Sequence, residues 1–262
     1  MNPSKFKLLC LLLVLLSNGT TSMAQAPLWG TPKNVTIARD TWGVPHIFAP
    51  TDAAVAYGLA WAHAEDNFEF LQRALLIARG RLGEVLGKDG ATIDAVAFML
   101  DVKTLVEEQY DTAFSPAFKQ LIDAYVAGLN RYASLHPNEV VVKNLFPATP
   151  KDMIIAYVVS TAIISNVHLD LGRLFSNTMG PMTPPQQLSI TAGSNGIAIA
   201  PQRTRSGKTF LLSNSHQPLR SHLSWYEVHV QSEEGWNFLG ATFCGGLTPF
   251  VGTNEHLGWT HC

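Results

Sequence analysis

The sequence predicts an α+β fold. Three observations carry that reading. Apolar residues recur at helical 3–4 spacing up to about residue 165, the apolar period changes to two after residue 194, and a Pro-rich stretch separates the two regimes. Helices first and strands second, with a linker between, is an α+β order and not a βαβ order. The 262 residues suffice for one large or two ordinary domains, and 47% hydrophobic with 15% charged content describes a chain that buries a core. A net charge of −2 and no basic run argue against a nucleic-acid partner.

The N-terminus reads as an export signal over residues 1–26. Lys5 and Lys7 precede the nine-residue apolar stretch Leu8–Leu16, and Ser22-Met23-Ala24-Gln25-Ala26 offers cleavage after Ala24 or Ala26. The stretch is too short for a membrane anchor, so the expected location is secreted or periplasmic. Cys10 leaves with the signal. Cys244 and Cys262 remain, and whether they pair is open.

Val35 to Arg39 alternates as a strand, Asp40 to Pro45 is a turn, and His46-Ile47-Phe48 is a second short strand. A largely buried helix follows from Thr51 or Asp52, ending near Gly80 and Gly83. Ser115-Pro116 starts another, with Leu121, Ile122, Tyr125, Leu129 and Tyr132 on its apolar side. Thr149-Pro150-Lys151-Asp152 is a capping-box start for a third, running to about Ser165. The expected organisation is a mainly helical region over 27–176, a spacer over 177–193, and the start of a strand-rich chain over 194–262. Candidate strands are Gly196–Ala200, Thr209–Ser213, His222–Gln231, Phe238–Phe243 and Leu257–Thr260.

Ser194 is the residue with the most chemical content. Small residues lead to Gly193, then come Ser194, Asn195 and a strand-like apolar run. Read alone, this is also a Gly-Ser turn before a strand. A cut at Gly193–Ser194 would give Ser194 a hydroxyl nucleophile and a free α-amine, whose reference pKa of about 7.7–8.0 suits a base near neutral pH. His63, Glu65 and Asp66 share one helix, but their spacing is not that of a zinc helix, and a buried polar network is expected. His46, after a Pro-anchored turn, is expected to be structural.

Three segments together resemble the penicillin acylase family of N-terminal nucleophile hydrolases. They are Arg39-Asp40-Thr41-Trp42-Gly43-Val44-Pro45-His46-Ile47; Tyr57 to Phe68 with Gly80 to Gly87; and Gly193-Ser194-Asn195 with Ser206-Gly207-Lys208, Ser213-Asn214-Ser215-His216 and Val251 to His261. The resemblance implies an αββα architecture, incomplete in this chain. It also implies one precursor that cuts itself before Ser194 into small and large chains, and hydrolysis of a small-molecule N-acyl substrate. His216, 22 residues after Ser194, takes the place of the residue that supports the nucleophile's amine. His216 and Trp259-Thr260-His261 resemble the branch acting on acyl-homoserine lactones, lipopeptides and some cephalosporins.

The resemblance puts Trp259, His261 and Cys262 in the substrate and oxyanion region. One oxyanion N–H would follow Cys262, and a side-chain Asn and an Arg would lie further downstream. Cys262 departs from the usual Thr. No cofactor is implied as required. Calcium is left open for the full-length protein, since the helix after Asp152 offers Asp170 but no Glu. From these points the 262-residue chain alone is expected to be inactive, with the apolar face of His222–Gln231 uncovered. A non-catalytic secreted domain that binds an acyl ligand, and an exported hydrolase using an internal Ser with His216 as base, are the competing readings.

Overall fold

A computed structural model describes residues 34–167, 169–171 and 193–261. The expected export signal, the expected spacer up to residue 192, and Cys262 lie outside the described residues. The chain opens on a hairpin of β1 (Thr36–Arg39) and β2 (Pro45–Ala49). Its turn is held by Asp40, whose carboxylate accepts from the backbone N–H of Trp42 at 2.8 Å and of Val44 at 3.0 Å.

Helix α1 (Asp52–Ala78) is capped by Thr51, whose hydroxyl accepts from the N–H of Ala54, and bends at Asn67, where φ is −142°. Two helices that the sequence reading did not anticipate follow, α2 (Gly83–Met99) and α3 (Val102–Ala113). Helix α4 (Pro116–Leu135) is capped by Ser115, and α5 (Pro150–Ile164) by a complete Thr149–Asp152 capping box.

From Ser194 on come β3 (Ser194–Ile199), β4 (Phe210–Ser215), β5 (Trp225–Ser232), β6 (Asn237–Phe243), β7 (Val251–Thr253) and β8 (Gly258–Trp259). The described strands form a six-stranded sheet, β1-β2-β5-β6-β7-β8, and a separate β3-β4 hairpin. Only β2 and β5 pair in parallel, with His46 opposite His229. The first strands of the chain therefore complete a sheet made mostly by its last strands.

Helix α1 is the centre of the molecule. Val55, Leu59, Ala62, Leu71, Leu75, Leu76 and Ile77 are fully buried, and the helix packs on α4, α5, β2 and β5. Each such Leu or Ile contributes about 1.5–3 kcal/mol of burial. The α1–α4 crossing is close because Gly128 has no side chain: a Cβ there would stand 2.5 Å from the carbonyl oxygen of Tyr57.

The expectation that the apolar face of His222–Gln231 lacks cover is corrected. Tyr226, Val228 and Val230 are buried, because strand alternation turns them toward α1. A run of exposed apolar residues lies instead on the β3–β4 hairpin, at Ile197, Ile199, Phe210, Leu211 and Leu212. No helix among the described residues is long and apolar enough to cross a membrane.

Candidate active site

The hairpin register builds the site. Ser194 pairs with Ser215, so the residue before Ser194 faces the residue after Ser215. That brings His216 over Gly193. The His216 Nδ1 lies 3.3 Å from where a Cβ on Gly193 would be, and Gly193 holds φ at +136°, a backbone that side-chain-bearing residues rarely adopt. The Ser194 hydroxyl donates to the Gly193 carbonyl oxygen at 2.6 Å. The Ser194 hydroxyl, the Gly193 carbonyl and the His216 imidazole thus gather around Gly193.

The other His216 nitrogen sits between an acceptor and a donor at equal distance. Nε2 is 3.2 Å from Asn214 Oδ1, a group that only accepts, and Asn195 Nδ2 donates to the same oxygen at 3.3 Å. When His216 Nε2 carries the hydrogen, it donates to Asn214. When Nδ1 carries it, Nε2 accepts from Asn195 Nδ2 at 3.2 Å. In the first of these tautomers Nδ1 keeps its lone pair, facing Gly193.

A cavity of about 300 Å³ opens beside Ser194, at the small end of the usual range for ligand pockets. Tyr157, Thr161 and Ile164 of α5 form one wall, and Trp225, Phe243, Phe250 and His261 form another. The aromatic wall is a continuous stack. Trp225 lies 4.2 Å from Phe243, Phe243 lies 5.5 Å from Phe250, and His261 covers Phe250 at 4.5 Å. Sequence reasoning missed this wall. Its signal was the density of aromatics between Trp225 and Phe250, whose convergence depends on strand pairing.

The other candidate residues fall in different places. Trp259 is not among the residues lining this cavity. Its indole N–H donates to the Phe250 carbonyl at 2.9 Å and its ring packs on Phe238, so it supports the wall from behind. Cys262 lies outside the described residues. Cys244 is a free thiol, pushed up by burial and so held protonated.

His46 contacts His229 across the β2–β5 pair, Nδ1 to Nδ1 at 3.1 Å. His63 is buried, stacks on Tyr226 at 4.1 Å, and is pushed down to about 3 by burial, with Asp66 opposing. The expected buried network of His63, Glu65 and Asp66 needs correction. Only His63 is enclosed; Glu65 and Asp66 turn to the surface, where Arg39 binds them at 3.0 and 2.8 Å.

A calcium site does not assemble from the residues described. Asp152 is committed to Arg79 at 2.8 Å and to the cap of α5, and no group of three His, Cys, Asp or Glu side chains converges among the described residues.

The family model described as penicillin amidase matches residues 34–262. The acyl-homoserine lactone acylase PvdQ of Pseudomonas fluorescens is 26% identical over 255 residues, covering 86% of this chain and 32% of that protein. The acyl-homoserine lactone acylase QuiP of Pseudomonas aeruginosa is 24% identical over 284 residues, covering 89% and 33%. The chain thus spans about a third of the length of these curated relatives. Among solved structures, a thermostable penicillin G acylase from Alcaligenes faecalis matches with a TM-score of 0.42 and 22% identity, over 58% of this chain and 96% of that one. With the family match running from the first described strand to the last residue, the chain belongs to the penicillin amidase family.

Proposed function

We propose that this chain is part of an exported amidohydrolase that cuts itself at Gly193–Ser194 and then hydrolyses linear N-acyl amides through Ser194. The observation that carries this reading is the Ser194 hydroxyl on the Gly193 carbonyl, with His216 Nδ1 facing the same glycine at the mouth of an aromatic-walled cavity. Export rests on the sequence of residues 1–26.

In the first reaction Ser194 Oγ attacks the Gly193 carbonyl carbon. The hydroxyl proton passes by way of His216 Nδ1 to the Ser194 nitrogen. The Gly193–Ser194 C–N bond breaks and an ester forms. Water hydrolyses the ester, leaving a Gly193 carboxylate and a Ser194 with free hydroxyl and α-amine. In the second reaction that amine accepts the hydroxyl proton while Oγ attacks the substrate's amide carbonyl. Collapse expels the amine, which takes the proton, and water then frees the acyl group as a carboxylic acid. The aromatic wall takes the acyl chain, at about 0.8 kcal/mol per buried CH₂, or roughly fourfold in binding. The relatives named acyl-homoserine lactone acylases make such lactones the first substrates to try.

The test expresses the full-length precursor with Ser194 intact and as Ser194→Ala. The intact form should run as two chains and release decanoate from N-decanoyl-homoserine lactone; the variant should stay uncut and inert. Processing of Ser194→Ala at the normal rate would sink the self-cutting reading. Faster turnover of a phenylacetyl amide than of any acyl lactone would move the substrate class.

A further inference from the structure

Asn195, Asn214 and His216 close a triangle beside Gly193. Asn195 and Asn214 stand directly opposite in the β3–β4 register, and His216 lies two positions beyond Asn214, so strand alternation turns all three side chains to one face. His216 Nε2 is 3.2 Å from Asn214 Oδ1 and 3.2 Å from Asn195 Nδ2, and Asn195 Nδ2 reaches the same Oδ1 at 3.3 Å. An amide oxygen only accepts and an amide nitrogen only donates. Each neutral tautomer of the ring therefore satisfies one contact and sets like against like at the other. Hydrogen on Nε2 suits Asn214 and opposes Asn195. Hydrogen on Nδ1 suits Asn195 and opposes Asn214.

The two tautomers differ in what they can do at Gly193. Self-cleavage, as argued above, passes the Ser194 hydroxyl proton to Nδ1, which needs a lone pair there. The tautomer that Asn214 favours supplies it. In the tautomer that Asn195 favours, Nδ1 already carries hydrogen and cannot take the proton. Asn195 directly follows the nucleophile, yet its donor works against the base.

We propose that Asn195 is a positioning residue that restrains self-cleavage, by holding hydrogen on His216 Nδ1 in a share of the precursor. The proposal rests on His216 relaying the Ser194 proton. It makes Asn195 and Asn214 opponents acting on one ring.

Opposed action leaves a signature that damage to the hairpin does not. The full-length precursor is expressed unsubstituted, with Asn195→Leu, with Asn214→Leu and with both, and the half-life of the uncut chain is followed by pulse labelling. Asn195→Leu alone should speed the cut, by about twofold where the two tautomers start equal, since the competent share then doubles. Added to Asn214→Leu, it should restore the rate by about two- to tenfold, the range of one hydrogen bond, because it removes the last partner favouring hydrogen on Nδ1. A slower cut in Asn195→Leu alone would overturn the proposal, as would a double variant cut no faster than Asn214→Leu. Ring nitrogen NMR spectra of the uncut Ser194→Ala precursor give a readout that needs no cleavage. Hydrogen should move to Nε2 on adding Asn195→Leu and to Nδ1 on adding Asn214→Leu. An unsubstituted precursor that stays whole would sink the self-cutting reading and this restraint with it. A precursor cut normally, with a ring indifferent to both substitutions, would sink this proposal alone.

Discussion

The Tyr226 phenol donates to the Asp66 carboxylate at 2.6 Å, and that bond joins the two sides of Ser194. Asp66 stands on α1, before Ser194 in the chain, and Tyr226 on β5, after it. Arg39 of β1 holds the same carboxylate at 2.8 Å. Burial, then Asp66, pushes the Tyr226 phenol up, so it remains a donor throughout the neutral range. Once the chain is cut at Ser194, this contact would hold one chain against another.

Tyr226→Phe should therefore lower stability by about 1.5–3 kcal/mol, the usual worth of a hydrogen bond to a charged group. The ring and its stack on His63 are kept, so the loss is assigned to the hydroxyl. Urea unfolding of the two forms measures it. A midpoint equal to that of the unsubstituted protein would mean the bond contributes nothing.

Gly193→Ala should slow self-cleavage. The added methyl would lie 3.3 Å from His216 Nδ1 and would force an L-residue to hold φ at +136°. The backbone would relax, and the carbonyl would leave the Ser194 hydroxyl. Pulse-labelled precursor should accumulate relative to the unsubstituted protein; matching half-lives would show that the geometry at Gly193 is not what drives the cut.

Asn214→Leu should slow self-cleavage by about two- to tenfold, corresponding to one lost hydrogen bond of 0.5–1.5 kcal/mol. Without the Asn214 acceptor, Asn195 Nδ2 is the remaining partner of His216 Nε2, which favours hydrogen on Nδ1 and removes the lone pair facing Gly193. Asn214→Asp keeps an acceptor and should stay nearer to the unsubstituted rate. Equal losses in both variants would point to hairpin packing and away from tautomer control.

What was legible in the sequence was local. Thr51, Ser115 and Thr149 announced α1, α4 and α5 because a cap is decided within four residues. Ser194 and His216 were paired by the resemblance to the family, and a single hairpin brings them together. Helix α2 was hidden by Gly83, Gly87 and Gly90, which erase its period. Its start is held from eleven and twelve residues away, by Asp94 accepting from the N–H groups of Gly83 and Leu82 at 2.9 Å each. Strand β7 has three residues, too few for a pattern. The parallel β2–β5 pair and the Trp225–Phe243–Phe250–His261 wall are products of long-range pairing, which periodicity does not encode.

Mild acid should destabilise the protein before its carboxylates titrate. Burial pushes His63 down to about 3, and burial, with the Arg73 charge adding to it, pushes His222 down to about 4, from 6.5 in the unfolded chain. Below pH 6.5 the unfolded rings take up protons that the folded ones refuse. Stability therefore falls as pH drops, and the slope continues until the pH nears the folded values. Each ring contributes at most about 2 kcal/mol of loss between pH 7.5 and 5.0, at roughly 1.4 kcal/mol per pH unit once well below 6.5. Asp152, held below its usual range by Arg79 and Thr149 against the effect of burial, acts at lower pH and leaves this window clear. His63→Phe keeps an aromatic ring on Tyr226 and removes one titrating group. It also strips Tyr125 of its 3.5 Å partner, a cost that does not change with pH. Urea unfolding at pH 7.5, 6.5, 5.5 and 5.0 should show the variant losing about half as much stability across the range. An unchanged slope in His63→Phe, or no loss at pH 5.0 in the unsubstituted protein, would mean that His63 is not buried as a neutral ring.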